Sequence, residues 1–274
     1  MATLWRATFD PNAPSGSNLD ICLLWDNSPD NDWIAQHIHM QGCRVADALY
    51  GADSEKGFAV KAAVTELTDK LINLAAQKDR VHRTMRETCE ELQTLSLQGI
   101  KSRDSGALRH DLEHFHVDST SSLDTCARRF LGETIGFHRK KHGQRDGRSF
   151  GEGIVKAFEE AESIDREVID AIGRDLKWDE DHWLKPLIND RNVLHERSPS
   201  ITPFTIVNGQ PLVLFTRANG DTFSNDRILE YVDVHYGNVT RLVRDLIRYV
   251  LWARFPLFKG LELKVDGGWG PCDD

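Results

Sequence analysis

The sequence predicts a mainly α-helical protein with one small β-hairpin inserted before its last helix. Three observations predict it. Residues 58–97 contain neither glycine nor proline, and Val60, Val64, Leu67, Leu71, Leu74, Val81, Met85, Leu92 and Leu95 fall at steps of three, four and seven. That is the period of a helix with one apolar stripe. Val239, Leu242, Val243, Leu246, Val250 and Leu251 draw a second such stripe near the end. Between the two, Asn208-Gly209 separates two β-rich apolar runs within Phe204–Thr216, the strongest short hairpin signal a sequence carries.

Taken in chain order, the first thirty residues are loop-rich, broken by Pro11, Pro14, Gly16 and Pro29. The apolar run Leu19–Trp25 within them reads as a strand or as a buried helical turn. A helix is expected from Asp32 to Tyr50, weakened by Gly42. The stripe over 58–97, interrupted by Lys78 and Thr88, makes a helix of ~60 Å if unbroken, or two helices with a bend. Ser102–Gly106 is a connector. Residues 108–137 make one or two helices, and the polar segment 138–148 a loop. Helices resume over 154–176 and 179–195, with Pro186 starting or kinking the second. The hairpin follows, with Pro211 at an exposed edge or a strand start. The last helix spans Ser224 or Asn225 to Phe255, with a possible break at Gly237. These elements read as one domain over 1–274: a loop-rich lead-in and short helix (1–57), a helical core (58–198), the hairpin (199–222), the final helix (223–256) and a tail (257–274).

The chain has 274 residues, 40% of them hydrophobic and 28% charged, and a net charge of −9. That excludes a wholly basic nucleic-acid coat but leaves room for a local basic patch. Five cysteines in an odd count, with no Cys-x-x-Cys, argue against a disulfide framework and for a reducing, cytoplasmic compartment. No apolar run approaches the ~20 residues of a membrane span, and the N-terminal residues do not read as a signal peptide. Phosphate-cradling and serine-hydrolase motifs are absent from the sequence, and no cofactor is called for.

Three segments carry candidate chemistry. Arg191-Asn-Val-Leu-His195 closes a predicted helix. Residues four apart share a helix face. An arginine there can hold two phosphate oxygens in a fork, while a histidine takes or gives a proton near neutral pH. Metal-free RNA cleavage needs those two functions. Next, His110 and His114, with Glu113 between them, spell the His-x-x-Glu-His pattern of inverted zinc peptidases. A third ligand is not identifiable, so a helix start with polar residues is the plainer reading. Finally, Arg139, Lys140, Lys141, Arg145 and Arg148 form a basic segment that can track a phosphate backbone; a solvated loop is the bland alternative. Arg241, Arg244 and Arg248, with Asp245 among them, read as a wet helix face.

The Arg191–His195 motif, late in a helical chain and after Trp183–Asp190, together with the helix opened by Leu112–Cys126, resembles the HEPN family of helical RNases and RNA-binding domains. In that family a late helix carries an arginine, a polar residue and then a histidine. Arg191, Asn192 and His195 take those positions, with three residues between arginine and histidine where the family commonly has four to six. The resemblance implies a HEPN-like helical bundle and a metal-independent endoribonuclease, usually completed across a homodimer. It further implies a defence, stress or toxin–antitoxin role. The alternative is a non-catalytic protein- or RNA-binding module on the same scaffold, with a regulatory protein partner.

Overall fold

The computed structural model describes residues 3–9, 19–26, 34–137, 147–160, 166–177, 182–195, 200–255, 257, 259–263 and 269–271, the side chains of 3–9, 19–26, 147–150, 195, 261–263 and 269–270 excepted.

The molecule is mainly helical. Its spine is α2 (Glu55–Ser96), unbroken over 42 residues. The stripe seen in the sequence explains this: Val60, Val64, Leu67, Leu71, Leu74, Val81, Met85 and Leu92 are all buried. The interruption at residue 78 is filled from within the stripe. Gln77 turns inward and donates from Nε2 to the Asp111 carbonyl at 2.9 Å, so a polar residue holds a core position without an orphaned amide. Ser54 caps the start, its Oγ accepting from Gly57 N at 2.8 Å.

Helix α1 (Ile34–Tyr50) lies against α2. Gly42, a weak helix former, leaves room for the close packing of α1 on α2. A β-carbon there would sit 2.7 Å from both γ-carbons of Val64. Val64 is fully buried and, being β-branched, has little rotamer freedom. Gly42→Ala is therefore expected to destabilise the fold by ~1–3 kcal/mol through overpacking, despite its better helix propensity. Urea unfolding of the variant measures this; a gain in stability would show that the two helices slide apart freely.

Helix α3 (Gly106–Thr125) packs on α2, then continues through a π-helical segment (Cys126–Leu131) into α4 (Gly132–Ile135). The π turn keeps Cys126, Ala127, Phe130 and Leu131 all buried. Gly136, at φ 72°, ends the run in the left-handed conformation. Next come α5 (Gly147–Glu160), α6 (Arg166–Asp175) and α7 (Leu184–His195). Pro186 falls in the first turn of α7, where no intrahelical partner for its nitrogen is needed. It starts the helix and does not kink it.

The predicted hairpin is β4 (Phe204–Val207) and β5 (Gln210–Leu212). Asn208 and Gly209 have φ of 51° and 79°, as a type I′ turn requires. Pro211 lies on the edge strand, opposite Ile206. The connector strand β3 (Ser102–Arg103) pairs with β4 and completes a three-stranded antiparallel sheet. Asn219-Gly220 reads in the sequence as the end of the β region, but the β structure continues past it. It turns a second hairpin, β6 (Leu214–Thr216) with β7 (Thr222–Ser224). The final helix, α8 (Asn225–Arg254), runs through Gly237 without a break. Strand pairs also occur at both ends: β1 (Thr3–Phe9) with β2 (Leu19–Asp26), within the predicted loop-rich lead-in, and β8 (Leu261–Leu263) with β9 (Trp269–Pro271) in the tail. Among the described residues, no helix is long and apolar enough to cross a membrane.

Candidate functional site

Helices α3 and α7 run antiparallel. Arg109 Nη2 donates to the Leu194 carbonyl at 3.1 Å, and His116 Nδ1 donates to the Leu187 carbonyl at 3.2 Å. Leu184, Leu187, Asp190 and Leu194 give α7 its buried face. Arg191 lies at the border of that face and is half-buried, while Asn192 is exposed. His195 is the last residue of α7, one turn beyond Arg191 on the same side of the helix axis.

Asp190 is the most heavily bonded side chain of this helix and only 1% exposed. Its Oδ2 accepts from Arg217 Nε and from Tyr231 OH, each at 2.8 Å; its Oδ1 accepts from Ala218 N at 2.8 Å. Arg217 and Ala218 come from the β6–β7 hairpin, Tyr231 from α8. The Arg217 guanidinium also lies 5.0 Å from the Phe223 ring centre and 5.1 Å from that of Tyr231. The Tyr231 hydroxyl is 3.2 Å from His116 Nε2, and His235 stacks edge-on against Tyr231 at 4.2 Å. A carboxylate, a guanidinium, a phenol and two imidazoles are thus gathered from α3, α7, α8 and the second hairpin.

Burial sets the protonation of this cluster. It lowers the pKa of His116 to about 4, against the opposing pull of Asp190. Burial also pushes His235 well below its ordinary value, helped by His116 and Arg217, and Tyr231 well above its own. The two histidines are therefore neutral in the folded protein at neutral pH. Their unfolded pKa is ~6.5. Below that value the unfolded chain binds more protons than the native one, so stability falls as pH drops through 6.5 toward 4 and is level above about 7. The expected slope is ~1.4 kcal/mol per pH unit for each histidine. Urea midpoints of the wild type and of His116→Gln at pH 7 and pH 5 check this: the variant should lose part of the acid sensitivity, and equal sensitivity would remove His116 as a source.

Against this polar cluster, Arg191 stands apart. Its Nε is buried and has no hydrogen-bond partner, although its charge is felt by His116. Adjacent residues of one helix therefore have opposite fates: both oxygens of Asp190 accept hydrogen bonds, and the Nε of Arg191 has no acceptor.

The other candidates fare differently. His110 and His114 are exposed on α3, with ring centres 4.3 Å apart. Glu113 is engaged by Arg109 Nε at 3.1 Å. Among the described residues, no group of three or more histidine, cysteine, aspartate or glutamate side chains is placed to hold a metal. Arg139, Lys140, Lys141 and Arg145 lie outside the described residues. Arg148 belongs to the first turn of α5, not to a loop. The wet face expected of Arg241, Arg244 and Arg248 is in part a buried ion pair. Arg248 is 8% and Asp245 6% exposed, and they bond to each other. Helix α6 covers that side, Tyr249 OH donating to Asp175 Oδ2 at 2.6 Å.

Reading the sequence missed Asp190, Arg217, Tyr231 and His116. One signal was present: an aspartate next to the motif arginine, at a position the helical period turns inward, demands a buried cation from elsewhere.

Compared with protein-family models, with curated proteins and with solved structures, the chain matches none.

Proposed function

We propose that the protein is a HEPN-like, metal-independent endoribonuclease whose reacting groups are Arg191 and His195 of α7, with Asn192 beside them. The observation that carries this reading is the half-buried Arg191 guanidinium, with no partner at its Nε, one helical turn from a histidine. A buried N–H donor without an acceptor is costly, and a phosphate oxygen is the acceptor such a site offers best to an arginine.

In the proposed reaction the ribose 2′-hydroxyl attacks the adjacent phosphorus. Its proton passes to the His195 imidazole. Charge gathers on the phosphorane oxygens, where Arg191 stabilises it. The bond to the 5′-oxygen breaks, and that oxygen takes a proton from an imidazolium or from water. The products are a 2′,3′-cyclic phosphate and a 5′-hydroxyl. A homodimer that sets two copies of α7 face to face supplies one imidazole as base and the other as acid. The basic segment 139–148 holds the strand, and the role is one in defence or stress.

The test is RNA cleavage by the purified protein in excess EDTA, with analysis of the ends formed. Cyclic phosphate ends, lost in Arg191→Ala, are expected. RNA binding without any cutting would replace the enzyme by the non-catalytic module, and neither binding nor cutting would remove RNA from the account.

A further inference from the structure

The carboxylate next to Arg191 is taken by another cation, Arg217. The imidazole of His116 feels three charges at once: Asp190, Arg217 and Arg191. Of these, Asp190 and Arg217 are bonded to each other at 2.8 Å, with side chains 1% and 12% exposed. Arg191 forms no ion pair with any described residue, and its Nε has no acceptor. A carboxylate at 1% exposure does not stay unpaired. Besides Arg217, Arg191 is the cation whose charge His116 feels. Side chains of neighbouring residues diverge by ~100° around a helix, and the bond to Arg217 holds the carboxylate toward the hairpin. Ala218 N–H and Tyr231 OH aim it the same way.

We propose that Arg217 is a positioning residue for the RNA site: by occupying Asp190 it keeps the Arg191 guanidinium available to a phosphate. The inference rests on the RNA-cleaving reading above. It gives the β6–β7 hairpin a purpose in that reading, because the cation arrives on a loop tied to α8 and not on the bundle itself. Arg217 acts through Asp190 and touches no substrate.

Charge rescue tests it. Wild type, Arg191→Ala, Arg217→Gln, Arg217→Lys and the double variant Asp190→Asn/Arg217→Gln are compared. The readouts are fluorescence anisotropy with a labelled oligouridylate at fixed salt, EDTA-resistant cleavage, and thermal unfolding. Arg217→Gln should weaken binding and slow cleavage about tenfold, the direction of Arg191→Ala, an effect worth ~1.4 kcal/mol. Arg217→Lys should stay near wild type. In the double variant no carboxylate remains to capture Arg191, so binding and cleavage should return to within about threefold of wild type, even if its unfolding temperature stays low. A purely structural role would make activity follow stability and not the charge count. A folded Arg217→Gln protein that binds and cuts like wild type overturns the proposal. So does a folded double variant as weak as Arg191→Ala, which decides the matter if the single variant does not fold. Wild type that neither binds nor cuts RNA removes the RNA reading and this inference together, and that failure is seen before any substitution is made.

Discussion

Arg191→Ala is expected to lower EDTA-resistant RNA cleavage by roughly 10²–10³-fold, the usual cost of deleting one preorganised stabiliser of developing negative charge. The size follows from where the side chain sits. Arg191 is half-buried, so its charge acts through less water than a surface arginine's does. The loss should fall mainly on kcat, since the charge it meets grows toward the transition state. Arg191→Lys keeps the charge but loses the planar fork, and should recover only part of the rate. His195→Ala should cost ~10²–10⁴-fold, the range for a group that moves a proton in the transition state. Neither variant should unfold the protein: Arg191 bonds to no side chain at Nε, and His195 closes its helix. Initial rates on one labelled RNA, with circular dichroism of each variant, measure both. Cleavage unchanged in Arg191→Ala would refute the site.

How much of this was legible in the sequence depends on how local the cause is. Helix α2 was legible because its stripe is a property of one segment, and the turn at Asn208-Gly209 because positive φ is a property of two residues. Pro211 on an edge strand followed from its missing N–H. At Gly42 propensity shows only the cost to α1; that an added β-carbon would meet Val64 at 2.7 Å is set by another helix. The second hairpin was hidden because Asn219-Gly220 reads equally as an end or as a turn. Arg248 and Asp245 read as solvated because charge normally is; α6 covers them, and no pattern within α8 says so. For the site, the arginine and histidine of α7 were visible as a motif. The buried cluster beside it draws on residues 116, 190, 217 and 231, whose meeting is set by the antiparallel packing of α3 on α7 and by a hairpin that folds back on both.

Asp190→Ala is the expected lesion of greatest structural consequence. Asp190 balances Arg217 in a place where neither is solvated, with side chains 1% and 12% exposed. Removing the carboxylate strands the guanidinium, frees the Ala218 N–H and deprives the Tyr231 hydroxyl of its 2.8 Å acceptor. Breaking one partner of a buried pair costs ~3–5 kcal/mol, which for a chain of this size is a fall of roughly 10 °C in unfolding temperature. The comparison that isolates burial lies within the same molecule. Arg129 and Glu66 are 3.0 Å apart but 59% and 45% exposed, and water repays most of what their pairing yields. Glu66→Ala should cost no more than about 1 kcal/mol. Tyr231→Phe, which keeps the ring and removes only the hydroxyl that donates to Asp190, should fall between the two at ~1–3 kcal/mol. Differential scanning calorimetry on the three variants reads the series directly. Equal losses for Asp190→Ala and Glu66→Ala would mean that water reaches the Asp190 carboxylate in solution, and that the hairpin does not seal the base of α7.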